Sequence, residues 1–137
     1  MDNTNIFLVE DNIKDELLTI RALKKNKVAN QIDVARDGQQ AIDYLMNVKR
    51  ELPSLVILDL KLPKLSGLEV LKRIRADART KFLPVVMLTS SDEEKDITEA
   101  YKNGANSFVS KPVNIDEFSK AVRDLGLYWL ILNKAAN

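Results

Sequence analysis

Four strand-like runs in this chain each end on a residue type that binds metal ions or phosphate groups. These runs and the residues after them are Ile6–Val9 before Glu10-Asp11, Leu55–Leu58 before Asp59, Val85–Leu88 before Thr89, and Ser107–Ser110 before Lys111. Short apolar runs of this kind are typical of buried strands in a parallel sheet. The carboxyl ends of parallel strands lie on one edge, where ligands bind, so the pattern predicts one shared site.

The predicted site combines three carboxylates, a hydroxyl and an ammonium, from Glu10, Asp11, Asp59, Thr89 and Lys111. Neighbouring carboxylates repel one another when no counter-charge is present. A divalent cation with oxygen ligands would relieve that repulsion, and the lysine would supply a second positive charge. We therefore expect Mg²⁺ or a similar ion at this edge of the sheet.

Strand-like and helix-like segments alternate about five times along the chain. Between Asn12 and about Lys25 the apolar residues recur at helical spacing, and we expect one apolar, inward-facing stripe made of Ile13, Leu17, Leu18, Ile20 and Leu23. Short alternating units of this kind predict right-handed βαβ crossovers. The expected fold is therefore a doubly wound parallel sheet of the α/β class.

Composition excludes several kinds of chemistry. The 137 residues include no cysteine and no histidine, so disulfides, thiolate metal sites and imidazole bases are ruled out. The net charge of +1 predicts neither a nucleic-acid nor a membrane partner. The N-terminus lacks the pattern of a signal peptide and no stretch is long enough for a membrane span, so we expect a cytoplasmic protein.

Taken together, these features resemble the receiver domain of two-component response regulators over nearly the whole chain. The matching elements are Glu10-Asp11, Asp59, the Pro63 to Gly67 loop, Thr89 before small residues, and Phe108 three residues before Lys111-Pro112. The resemblance implies a flavodoxin-like fold with five parallel strands in the order 2-1-3-4-5. More narrowly, the chain is similar to single-domain receivers that partner bacterial phytochrome-type histidine kinases.

The resemblance assigns catalytic roles to three residues. Asp59 would be the nucleophile that accepts a phosphoryl group from a phosphohistidine on a sensor histidine kinase. Thr89 and Lys111 would bind the phosphoryl oxygens, where charge develops during transfer. Such a protein assists its own phosphoryl transfer and autodephosphorylation and is not a metabolic enzyme.

The resemblance also assigns the metal ligands. Asp11, Asp59 and the backbone carbonyl of Lys61 would hold Mg²⁺, and Glu10 would act through metal-bound water. Many receivers carry aspartate at the position of Glu10, but glutamate also occurs there. The side chain of Lys61 would tune the lifetime of the phosphorylated form.

Simpler interpretations exist for single residues and for the whole chain. Asp11 alone could cap a helix, and Phe108 is either an aromatic switch or a plain core residue. The main functional alternative is a receiver-like binding module that never takes phosphate. A haloacid-dehalogenase-type phosphatase would need an acidic residue at the position of Lys61. A flavodoxin-like FMN binder is disfavoured because the acidic loop after the first strand would repel the FMN phosphate.

The C-terminal end carries a second apolar feature. We divide the chain into a receiver domain, residues 1–126, and an apolar extension, residues 127–137, and we expect no output domain. Six apolar residues in a row, Leu127–Leu132, either fold back on the domain or form a homodimer seam together with the last helix. We favour the dimer, with output through protein contacts to a target that the sequence does not name.

Overall fold

The computed structural model describes residues 5–25, 31–90, 93–111 and 113–124. Five strands alternate with five helices. Their bounds are β1 Asn5–Val9, α1 Ile13–Lys25, β2 Gln31–Ala35, α2 Gly38–Leu45, β3 Leu55–Leu58, α3 Gly67–Ala76, β4 Val85–Thr89, α4 Glu94–Lys102, β5 Ser107–Ser110 and α5 Ile115–Asp124. The predicted apolar extension, residues 127–137, lies outside the described residues, so its role stays a prediction.

The strands form one parallel sheet in the order β2-β1-β3-β4-β5. Phe7 in β1 lies opposite Asp33 of β2 on one side and Val56 of β3 on the other, which makes β1 a central strand. The predicted order 2-1-3-4-5 and the doubly wound α/β fold are confirmed. Because all five strands run the same way, their carboxyl ends share one edge, as the sequence pattern required.

Each face of the sheet carries its own apolar core. In β1, Phe7 and Val9 belong to the core that packs against α2 and α3, whereas Ile6 and Leu8 belong to the core beneath α1 and α5. This alternation follows from the two-residue period of a strand. All four side chains are fully buried, so β1 is covered on both faces of the sheet.

The predicted inward face of α1 is partly wrong. Leu23 is buried as expected, but Ile13 is 62% exposed and Leu17 is 57% exposed. The buried face instead includes Glu16, whose carboxylate accepts two hydrogen bonds of 3.0 Å from the guanidinium of Arg36. A bidentate ion pair lets a charged residue occupy a buried position, and counting apolar residues cannot anticipate that.

Within the described ranges, no helix combines the length and the apolar character that crossing a bilayer demands.

Candidate functional site at the carboxyl edge of the sheet

Backbone hydrogen bonds continue past the strand ends and fix the predicted site residues. Glu10 donates its N–H to Ala35 at 3.0 Å, and Asp59 donates its N–H to Val9 at the same distance. Lys111 donates its N–H to the carbonyl of Thr89, again at 3.0 Å. The sheet ladder therefore extends one residue beyond these strands, and the side chains start from a rigid backbone.

Three of the predicted metal ligands form a compact group of carboxylates. One oxygen from each of Glu10, Asp11 and Asp59 lies within 4.8 Å of the others. Glu10 is fully buried and Asp59 is 4% exposed, whereas Asp11 is open to solvent. The group is therefore closed on the protein side and accessible from outside, as a site for an ion and a substrate must be.

Lys111 is the cation at the centre of this group. Its Nζ lies 2.7 Å from Oε1 of Glu10 and 2.7 Å from Oδ2 of Asp59. A third carboxylate, Oδ2 of Asp15, lies 3.3 Å away. The other oxygen of Asp59, Oδ1, accepts the backbone N–H of Lys61 at 3.2 Å. Both oxygens of the predicted nucleophile are thus held by donors.

One buried oxygen in the site lacks a directed hydrogen bond. Oε2 of Glu10 accepts the N–H of Asn12 at 3.1 Å. Oε1 of Glu10 has the ammonium of Lys111 as its charge partner at 2.7 Å, and no better-aligned donor among the described residues reaches it. A divalent cation would add a second positive partner for this buried carboxylate.

Burial and charge shift the pKa values of the central pair. Burial is the main cause that raises the pKa of Glu10 to about 7, and the charge of Asp59 adds to it, against the opposing effect of Lys111. Burial alone would lower the pKa of Lys111, but the hydrogen bond to Asp59 and the contact with Glu10 raise it above its ordinary value. Lys111 therefore stays charged, and the raised pKa of Glu10 makes its charge sensitive to pH near neutrality.

The donor set fits a hard divalent cation. Among the described residues, the carboxylates of Glu10, Asp15 and Asp59 contact the ammonium of Lys111, and Asp11 lies beside Glu10 and Asp59. Carboxylate oxygens are the ligands that Mg²⁺ and Mn²⁺ prefer. The three predicted carboxylate ligands therefore lie together, and their binding of the ion, like the carbonyl of Lys61 as a further ligand, stays a prediction.

Thr89 and Phe108 lie on neighbouring strands. Thr89 ends β4, is almost fully buried, and lies in register with Ser110, one residue before Lys111. Phe108 in β5 is half-buried and packs against the core that contains α2 and α3. This placement agrees with either of the two interpretations of Phe108.

Two further residues shape the site: Asp15, which the sequence pattern did not single out, and Gly67, which was expected only as part of the Pro63 to Gly67 loop. Asp15 lies in the first turn of α1 and its carboxylate contacts Nζ of Lys111 at 3.3 Å; its place four residues after Asp11 was the available signal. Gly67 donates its N–H to Leu60 at 2.8 Å, and a Cβ at Gly67 would overlap the carbonyl of Asp59. Glycine is therefore required there so that α3 can start against the backbone of the predicted nucleophile.

Comparison with known proteins agrees with this geometry. The family model of the response regulator receiver domain matches residues 6–123 of this sequence. The chain belongs to this family. Among sequence relatives of this receiver, the probable methanogenesis regulatory protein FilR2 of Methanothrix harundinacea is 39% identical over 133 residues, which cover 95% of this chain and 86% of FilR2.

Solved receiver structures give the same result. The bacteriophytochrome response regulator AtBRR is 47% identical with a TM-score of 0.86, and the match covers 98% of this chain and 100% of AtBRR. The Mn²⁺-bound form of the response regulator Rcp1 is 34% identical with a TM-score of 0.76, covering 93% of this receiver and 94% of Rcp1. The predicted likeness to receivers of phytochrome-type systems is confirmed.

Proposed function

We propose that this receiver is a stand-alone response regulator that accepts a phosphoryl group on Asp59 from a sensor histidine kinase and then signals through protein contacts. The observation that carries the proposal is the contact between Asp59 and Lys111 at 2.7 Å inside the carboxylate group. A strand-end aspartate alone would be an ordinary surface feature. An aspartate held by a buried lysine, beside two further predicted metal ligands, supports a role in phosphoryl transfer.

The proposed reaction needs little chemistry from the protein beyond position and charge. A carboxylate oxygen of Asp59 bonds to phosphorus as the bond from phosphorus to the kinase imidazole nitrogen breaks, and that nitrogen keeps the electron pair. The product is an acyl phosphate on Asp59. Lys111 then turns its N–H groups from the carboxylate toward the phosphoryl oxygens, and the hydroxyl of Thr89 donates to another of them.

Magnesium is the metal that we propose for the site. When bound, it would neutralise charge on the phosphoryl oxygens and on the carboxylates. Asp11 and Asp59 would hold it directly, with Glu10 acting through water. The Mn²⁺-bound form of Rcp1 supports a divalent ion in a related receiver. Burial of Glu10 and Asp59 would keep bulk water away from most of the site and slow hydrolysis of the acyl phosphate.

The partner kinase would dock beside the phosphoacceptor. Ile13 and Leu17 form an exposed apolar pair on α1, and Asp15 on the same helix contacts Lys111. Apolar side chains exposed next to an acidic pocket suit a helix that delivers a phosphohistidine. The likeness to AtBRR favours a phytochrome-type kinase. The homodimer, the downstream target and the cytoplasmic location stay predictions.

The test is an intact-mass measurement after incubation with Mg²⁺ and acetyl phosphate, beside Asp59→Asn as the control. We expect one phosphoryl adduct that depends on Mg²⁺ and is lost in the control. A folded protein that gains no adduct under any condition would favour the alternative, a binding module that works without phosphate.

A further inference from the structure

The loop between α3 and β4 presents a large aromatic side chain to solvent. Phe82 is 86% exposed, although its neighbour Leu83 is buried. Nη1 of Arg75 donates to the carbonyl of Lys81 at 3.0 Å and to the carbonyl of Leu83 at 2.7 Å. The backbone on both sides of Phe82 is therefore held by hydrogen bonds. Binding of a partner to the Phe82 ring would then cost little backbone conformational entropy.

A basic groove adjoins this loop. The groove is shallow and open to solvent, and it is lined by Lys72, Arg75, Ala76, Lys102, Asn103 and Gly104. Arg75 connects the groove to the loop, because its guanidinium also donates to the carbonyl of Gly104 at 2.8 Å. None of the lining side chains is acidic. We call Lys72, Lys81, Phe82 and Lys102, with this groove, the Phe82 surface.

The lysines of the Phe82 surface are not neutralised by the chain itself. Over the described ranges, no carboxylate pairs with Lys72, Lys81 or Lys102. Nζ of Lys81 lies 5.2 Å from the centre of the Phe82 ring, a weak cation–π contact. The ends of α3 and α4 place partial negative charge nearby, and the full charges of three lysines and Arg75 exceed it.

We propose that the Phe82 surface docks an acidic segment of a partner protein, with an apolar side chain of that segment packed on Phe82. Charge complementarity selects an acidic occupant, and a rigid aromatic beside a groove is a typical binding hot spot. A lipid surface fits less well, since one exposed ring gives little apolar area for insertion. The surface lies at the amino edge of the sheet, opposite Asp59, so docking here needs no phosphoryl group.

The experiment titrates ¹⁵N-labelled full-length protein with a short synthetic peptide that alternates glutamate with leucine and tryptophan. We expect amide shifts near Lys81, Phe82 and Gly104, and affinity that falls as salt rises. Phe82→Ser and Lys81→Glu should each weaken binding by about tenfold. The matched control is Val48→Ser, which removes another exposed apolar residue, 77% exposed, from a different loop; it should bind as the parent does.

Asp59→Asn separates this proposal from the proposed function, since it should abolish phosphorylation and leave peptide affinity unchanged. Three results would overturn docking of an acidic segment. The first is equal binding of a peptide with lysine in place of glutamate. The second is an absence of shifts at the Phe82 surface. The third is that these amides respond only to vesicles of anionic phospholipid or to self-association of the protein, which would assign the surface to a membrane or to a second copy.

Discussion

The two edges of the sheet differ in how their central cations, Lys111 and Arg75, are partnered. At the carboxyl edge one ammonium, Lys111, serves the carboxylates of Glu10, Asp15 and Asp59, and a buried oxygen of Glu10 still lacks a directed donor. At the amino edge the guanidinium of Arg75 meets neutral acceptors only. An arrangement with excess charge of one sign is incomplete without a ligand, whereas donors matched to neutral acceptors make a structural joint.

Two arginines, Arg75 and Arg79, link the loops of the amino edge through hydrogen bonds, and these hydrogen bonds are the structural joints of that edge. Nη2 of Arg75 donates to Oδ1 of Asn106 at 2.9 Å, besides its bonds to three backbone carbonyls. Nη1 of Arg79 donates to the carbonyl of Leu45 at 2.8 Å, and its Nη2 reaches the carbonyl of Arg50. Substitution of Arg75 or Arg79 should therefore change stability without changing metal dependence, whereas substitutions in the Lys111 group should change metal dependence.

The largest effect should come from Lys111→Met. Without Lys111 the buried carboxylates of Glu10 and Asp59 lose their counter-charge, and removing one partner of a buried ion pair costs about 3–5 kcal/mol. We expect that loss in urea unfolding without metal, and recovery of much of it when Mg²⁺ is added. The control is Lys120→Met, since the pair of Lys120 with Asp124 is exposed and should contribute at most about 0.5 kcal/mol. Unchanged stability of Lys111→Met in EDTA would contradict the contrast between the edges.

Arg75→Ala should be nearly as damaging but indifferent to metal. It leaves the carbonyls of Lys81, Leu83 and Gly104 without their donor, and we expect a loss of about 2–3 kcal/mol, the same with and without Mg²⁺. Phosphorylation of the folded variant by acetyl phosphate should match the parent. Arg73→Ala on the same helix is the matched control, because in the described part of the chain Arg73 forms an exposed pair with Glu69 at 3.6 Å and no other ion pair. Rescue of Arg75→Ala by Mg²⁺ would show that the edges are coupled.

Local pattern accounts for what the sequence could predict. The chemistry of a strand end lies in adjacent residues, so the fold and the convergence of Glu10, Asp59 and Lys111 followed from reading along the chain. The buried face of α1 did not follow, because Arg36 neutralises Glu16 from twenty positions away. The acceptors of Arg75 lie up to 31 positions away from it in the sequence, so no local sequence pattern could predict these hydrogen bonds.

The next effect in size should be a pH dependence of Mg²⁺ affinity, because protons and Mg²⁺ compete for Glu10. The pKa of Glu10 is raised to about 7, mainly by burial, in the metal-free protein. Below that pH Glu10 binds a proton that the metal complex releases, so Mg²⁺ affinity should fall as pH drops from 7 to 6, approaching tenfold per unit. Calorimetric or fluorescence titrations at several pH values measure this. Glu10→Gln removes the titrating group and should flatten the profile; an equally steep profile in that variant would assign the proton to another carboxyl.

The smallest effect has an unusual sign. Asp59→Asn removes one of the crowded carboxylates, yet Lys111 keeps Glu10 and Asp15 as partners. With less repulsion in the pocket, we expect the metal-free protein to gain about 1 kcal/mol in free energy of unfolding, as removal of a strained functional group often does. Saturating Mg²⁺ should cancel the gain, because the parent then recovers more binding energy than the variant. A loss of stability in the metal-free variant would mean that the attraction between Asp59 and Lys111 outweighs the repulsion between Asp59 and the neighbouring carboxylates. The carboxyl edge would then be an ion-pair network that is balanced without a ligand, as the neutral hydrogen bonds of Arg75 are, and the contrast between the two edges would fail.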